Sequence, residues 1–114
     1  MSNIIYLKNR NEFKDYIKSN KFVIVKCTAD WCGPCKRISP YFNSLFEKLL
    51  SLNREVKLVI ADADEGKDLC TYLRVRTIPT FMSYVNGDLM DIYSNSSQDA
   101  VLEFMNKFVT AIND

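Results

Sequence analysis

The sequence predicts one α/β domain over residues 1–114, a central mixed β-sheet flanked by helices on both faces. Three observations predict it. Phe22 to Cys27 is a β-branched apolar run broken only by Lys26, as expected of a central strand covered on both sides. A helical repeat and a second apolar run, Lys57 to Ala61, follow it, so the middle of the chain reads as a strand–helix–strand unit with a right-handed crossover. Further on, Asn86-Gly87 separates the runs Thr80 to Val85 and Asp88 to Tyr93, and this dipeptide suits a two-residue hairpin turn that needs positive φ.

The remaining elements fall into place around these. Ile4 to Leu7 reads as a short strand. Asn11 is the expected cap of a short helix in which Phe13, Tyr16 and Ile17 share one apolar face. After the buried strand comes a turn holding Gly33 and Pro34, then a helix to about Leu50 with Ile38, Phe42, Leu45, Phe46 and Leu49 at i, i+4, i+7, i+8 and i+11. Pro40 inside it removes a backbone hydrogen bond and is expected to kink it. Asp64 to Gly66 reads as a loop, leading into a short helix that carries Leu69, Tyr72 and Leu73. Pro79 immediately precedes a strand, where its missing N–H is tolerated. Ser96-x-x-Asp99 matches a capping box loosely, ahead of Val101, Phe104, Met105, Phe108, Val109 and Ile112 at helical spacing.

Composition removes whole classes of function. With 47% apolar and 25% charged residues the chain is not of the disordered type, and 114 residues bury a core without cysteine staples. Fifteen basic against fourteen acidic residues leave a net charge of +1, so no nucleic-acid partner is expected. No apolar run approaches the roughly 20 residues of a membrane span, and Ile4 to Leu7 is too short for a secretory signal. A reducing, cytoplasmic setting is therefore expected, or an organelle if a transit peptide has been removed. There, four cysteines are redox-active or buried rather than structural bridges. Histidine is absent, which excludes Ser-His-Asp and Cys-His catalysis and histidine-ligated zinc.

The chemistry centres on Trp31-Cys32-Gly33-Pro34-Cys35, directly after the buried strand and at the opening of the long helix. Two cysteines three apart at a helix start can close a small ring reversibly. The unpaired N–H groups and partial positive charge of the helix N-terminus favour a thiolate, and Lys36 and Arg37 add cations within a turn. Pro34 suits the first turn, where its missing N–H costs nothing. Cys32 is expected to be the more accessible and acidic sulfur that attacks, and Cys35, one turn in, the buried sulfur that resolves the mixed disulfide. Zinc would need four ligands and so would have to recruit Cys27 and Cys70, which keep no second C-x-x-C spacing; no metal is expected.

Trp31-Cys32-Gly33-Pro34-Cys35-Lys36, together with Thr77-Ile78-Pro79-Thr80, resembles the thioredoxin family, and the resemblance spans essentially the whole chain. It implies a thioredoxin fold and a protein-disulfide reductase with no bound cofactor, its Cys32–Cys35 couple recharged from NADPH by a flavoprotein thioredoxin reductase. Disulfide-containing proteins and that reductase would be the partners of a monomer. It also implies a cis Ile78–Pro79 peptide facing the cysteines, which leaves the Ile78 main chain free to pair with an extended substrate. Trp31, Gly33, Pro34 and Ile78 would form a flat apolar docking patch.

The pattern breaks in places. Lys26 stands six residues before Cys32, where the family usually has a buried aspartate, and Ile60 replaces the lysine that often pairs with it. Thr28 stands where an aromatic or small residue is more usual, and Asn95 takes a loop position that is commonly glycine beside the docking patch. Lys26 has two readings: a side chain snorkelling to solvent or pairing with Asp62 or Asp64, or a partly buried cation that tunes the couple, alongside Lys36, toward a more oxidising potential. If desolvation left it neutral, it would instead serve as the missing base. Two alternatives to a reductase follow, a binding or scaffold subunit with a vestigial dithiol and a disulfide-forming or isomerising domain. Cys27 reads as a small hydrophobe of the core, while Cys70 is either inert or an exposed regulatory thiol.

Overall fold

The computed structural model describes residues 2–113; Met1 and Asp114, the ends of the expected domain, lie outside the described residues. In chain order the elements are β1 (Ile4–Tyr6), α1 (Arg10–Ser19), β2 (Phe22–Thr28), α2 (Gly33–Leu52), β3 (Val56–Asp62), α3 (Lys67–Tyr72), β4 (Thr80–Val85), β5 (Asp88–Ser94) and α4 (Gln98–Ile112). The strands form one sheet in the order β1-β3-β2-β4-β5. β1, β3 and β2 pair in parallel, whereas β4 and β5 are antiparallel to their neighbours. This is the mixed sheet expected from the sequence.

The alternation of β2 sorts its side chains between two helical layers. Phe22 and Ile24 pack with Ile38, Phe42 and Phe46 of α2 and with Phe104 and Phe108 of α4. Phe42 anchors this layer, its ring 4.9 Å from that of Phe81 and 6.4 Å from that of Phe46. On the other face Val23, Val25 and Cys27 pack with Phe13 of α1 and Leu69 of α3. An Arg10–Asp68 ion pair of 2.7 Å ties α1 to α3 at the surface.

Local chemistry explains the ends of the elements. α1 starts one residue before Asn11, and its cap is Asn9: the Asn9 side chain accepts from the Glu12 N–H at 2.9 Å, and Glu12 Oε1 accepts from the Asn9 N–H at 3.3 Å. This reciprocal pair satisfies two helix-start donors, so Asn9 displaces the expected Asn11. At α4 the cap is Ser97, whose hydroxyl accepts from Ala100 N–H, and not Ser96. α2 runs through Pro40 without a break in helical assignment. Asn86 and Gly87 have φ of 54° and 84°, the left-handed pair that the two-residue hairpin turn demands. Among the described residues no helix is long and apolar enough to cross a membrane.

Candidate active site

Antiparallel pairing of β2 with β4 sets Cys27 opposite Thr80. The turn that follows β2 and the residue that precedes β4 therefore meet at one end of the sheet. Cys32 caps α2 there with extended backbone, and its Sγ accepts from the Cys35 N–H at 3.2 Å. Pro34 lies in the first turn, where no intrahelical partner is lost. Cys32 and Cys35 are joined by a disulfide, their Cα atoms 5.3 Å apart. Across from them the Ile78–Pro79 peptide is cis, and the Ile78 carbonyl oxygen lies 3.8 Å from Cys32 Sγ. Ala29, Ala63 and Ile78 pack around the two sulfurs.

The expected contrast in accessibility between the two sulfurs is nearly absent. Cys32 is 4% exposed and Cys35 2%, because Ala29 and Ile78 close over the cap position. What separates them is their place in the helix: Cys32 receives a backbone N–H, whereas Cys35 lies inside the first turn. Around the pair, Trp31 is 66% exposed and Gly33, Lys36 and Arg37 are exposed, while Pro34 and Ile78 are half-buried and Pro79 is buried. A groove beside the disulfide is lined by Pro34, Arg37, Ile78, Pro79 and Asn95, so Asn95 does border the surface next to the sulfurs.

Lys26 lies on the opposite layer from Cys27, buried to 7% exposure, with its Nζ 5.4 Å above the Phe42 ring. Asn43, Phe46 and Glu47 share its cavity, so its charge sits beside the middle of α2 and not under the first turn. Burial holds its pKa below the ordinary lysine value. Neither ion pair suggested for it forms among the described residues: Asp62 Oδ1 accepts from the N–H groups of Asp64 and Glu65, and Asp64 accepts from Trp31. No group of three or more His, Cys, Asp or Glu side chains among the described residues is placed to hold a metal ion.

Sequence reasoning missed one relationship. Cys27 is fully buried, as expected, but Cys70 is half-buried and packs against the same cluster. The proximity of Cys70 and then burial push Cys27 well above the ordinary thiol value, and the proximity of Cys27 lowers Cys70. Their separation of 43 positions carried no local signal.

A disulfide that opens at a helix N-terminus, faced by a cis-proline and set on a mixed sheet with helices on both sides, is the working centre of a thiol–disulfide oxidoreductase. Residues 4–107 match the family model described as Thioredoxin. The chain belongs to the thioredoxin family. It is 33% identical to the thioredoxin of Gallus gallus over 103 residues, covering 89% of this chain and 94% of that protein. Against Plasmodium falciparum thioredoxin 1 the identity is 31% over 97 residues, 85% of this chain and 89% of the relative. In three dimensions it is similar to reduced Schistosoma mansoni thioredoxin pre-protein, with a TM-score of 0.78 at 30% identity, covering 94% and 99% of the two chains. The protein is a thioredoxin-type protein-disulfide reductase that works through the Cys32–Cys35 couple and needs no bound cofactor.

Proposed function

We propose that Cys32 attacks substrate disulfides and Cys35 resolves the product, on a docking surface made by Trp31, Gly33, Pro34, Ile78 and Pro79. One observation carries this reading: Cys32 Sγ sits at the N-terminus of α2, 3.8 Å from the Ile78 carbonyl oxygen. An extended substrate strand that pairs with the Ile78 main chain would lie directly alongside the sulfur. The Cys35 N–H and the helix dipole stabilise a Cys32 thiolate. That thiolate attacks one substrate sulfur, forming a Cys32–substrate disulfide and releasing the other sulfur as a thiolate. Cys35, deprotonated, then attacks Cys32 Sγ, closing the Cys32–Cys35 disulfide and releasing the second substrate thiolate. Two electrons and two protons have moved from protein to substrate.

Reopening the disulfide takes two electrons, which this reading draws from NADPH through a flavoprotein thioredoxin reductase docking on the same surface. The chain acts as a monomer in a reducing compartment such as the cytoplasm. Lys26, and Lys36 beside the active turn, tune the couple by their charge. The intact pair speaks against a vestigial dithiol. The test is insulin reduction driven by NADPH and a thioredoxin reductase. Cys32→Ser abolishes turnover, and Cys35→Ser accumulates a Cys32–substrate disulfide. Trapping on Cys35 in a Cys32→Ser variant, with none on Cys32 in the Cys35→Ser variant, would reverse the assignment.

A further inference from the structure

We propose that Cys27 and Cys70 form a second dithiol–disulfide couple, oxidised by a small anionic disulfide that enters the cavity beside Trp31. Neither Cys32 nor Cys35 takes part, although the cavity shares Trp31 and Ile78 with the docking surface. Three observations carry it.

The first is placement. Cys27 pairs in register with Ala61 of β3, and both belong to the layer beneath α3. Cys70 packs on that layer from α3, its Sγ 3.8 Å from the carbonyl oxygen of Asp62, the residue after Ala61. Both side chains thus lie in one layer, over neighbouring positions of β2 and β3. The second observation is their unequal surroundings. Cys27 is closed off from solvent, while Cys70 forms part of the wall of an open cavity of about 230 Å³. The cavity gives one thiol a way out and leaves the other behind it, the order that attack followed by resolution needs. Third, the cavity has a chemical character. Trp31 and Ile78 supply apolar walls, and Lys67 and Arg76 supply two cations. That lining fits a small disulfide bearing carboxylates.

The proximity of Cys27, which lowers the Cys70 pKa, favours a Cys70 thiolate and acts in the same direction. The exchange balances as follows. The Cys70 thiolate attacks one sulfur of the small disulfide, forming a mixed disulfide at Cys70 and expelling one small thiolate. Cys27, giving up its proton, attacks Cys70 Sγ, forming the Cys27–Cys70 bond and expelling the second small thiolate. Two protein thiols are oxidised, and one small disulfide is reduced to two small thiols.

The test uses the full, unmutated chain, reduced, exposed to glutathione disulfide, acid-quenched, then alkylated in denaturant and peptide-mapped by mass spectrometry. The expected result is a linked pair of peptides holding Cys27 and Cys70, besides the Cys32–Cys35 bond, with all four thiols lost. In a Cys27→Ser variant glutathione is expected to stay on Cys70. Cys27 still fully alkylatable after Cys32–Cys35 has oxidised would overturn the couple, whether or not Cys70 carries glutathione. For the cavity, Lys67→Glu with Arg76→Glu should slow oxidation of the pair by glutathione disulfide about tenfold while sparing oxidation by the uncharged hydroxyethyl disulfide. Equal rates with both disulfides would remove the anionic specificity.

Discussion

The indole Nε1 of Trp31 donates to Asp64 Oδ2 at 2.8 Å, joining the active turn to the loop after β3. Trp31 is largely exposed, so without this bond its ring would be free to leave the surface beside Cys32. The bond holds an apolar face open to solvent at a place where a substrate must land.

Asp64→Ala should therefore weaken docking without touching the sulfurs. An exposed hydrogen bond to a carboxylate contributes about 1 kcal/mol or less. We expect KM for insulin to rise about two- to threefold with kcat unchanged, and the Trp31 fluorescence anisotropy to fall. A drop in kcat at constant KM would place Asp64 in the chemistry instead.

Lys26 places a positive charge beside the middle of α2, at the strand position where the family pattern has a buried aspartate. A nearby cation favours thiolates and so the reduced form. The parent is expected to be the stronger oxidant when it and Lys26→Asp are each equilibrated with a glutathione buffer. A gap below about 10 mV, roughly 0.5 kcal/mol, would show that the charge is too distant to matter.

Tyr84 is buried against Phe13, ring centroids 5.3 Å apart, and burial pushes its phenol up to about 12. Since the unfolded phenol ionises near 10, the unfolded chain holds fewer protons between those values, and stability falls as pH rises through that window. Below about pH 10 the contribution is fully present. Tyr84→Phe should flatten this alkaline limb, by on the order of 1–2 kcal/mol at its upper end, in urea unfolding followed from pH 9 to 12. Parallel curves for the two proteins would refute the assignment.

Gly66 donates its N–H to the Asp62 carbonyl at 2.7 Å, and a Cβ placed on it would meet that same oxygen at 2.8 Å and the Leu7 oxygen at 3.3 Å. All are backbone atoms, which cannot swing aside. Gly66→Ala should cost about 1–3 kcal/mol in urea unfolding. An unchanged midpoint would mean that the β3–α3 connection yields freely.

How much of this was readable in the chain depends on the range of the interaction. The β2 run, the Asn86-Gly87 turn and the spacing along α2 and α4 are local patterns, and each element formed where its pattern lay. Asn9 is readable too: with Glu12 it makes the capping pair, a stronger signal than Asn11. Ser96 and Ser97 differ only in which hydroxyl the chain turns toward Ala100 N–H, and that is decided by the approach from β5. Cys32 and Cys35 were identified by spacing, whereas the near-equal burial of Cys32 depends on Ile78, which arrives from 46 positions away. Cys27 with Cys70 and Trp31 with Asp64 are pairs of this long-range kind. Only strand order and register create them.

The antiparallel run of β2 against β4 also separates two ends of the molecule. The hairpin at Asn86 and Gly87 sits where β2 begins, its Asn86 N–H bonded to the Lys21 carbonyl. β4, six residues long, spans the distance to the cysteine end, about 20 Å. That tip is where foreign cargo belongs: a dye, an affinity handle or a pair of new chain termini spliced there would ride on the pole facing away from the sulfurs and leave the exchange reaction unobstructed.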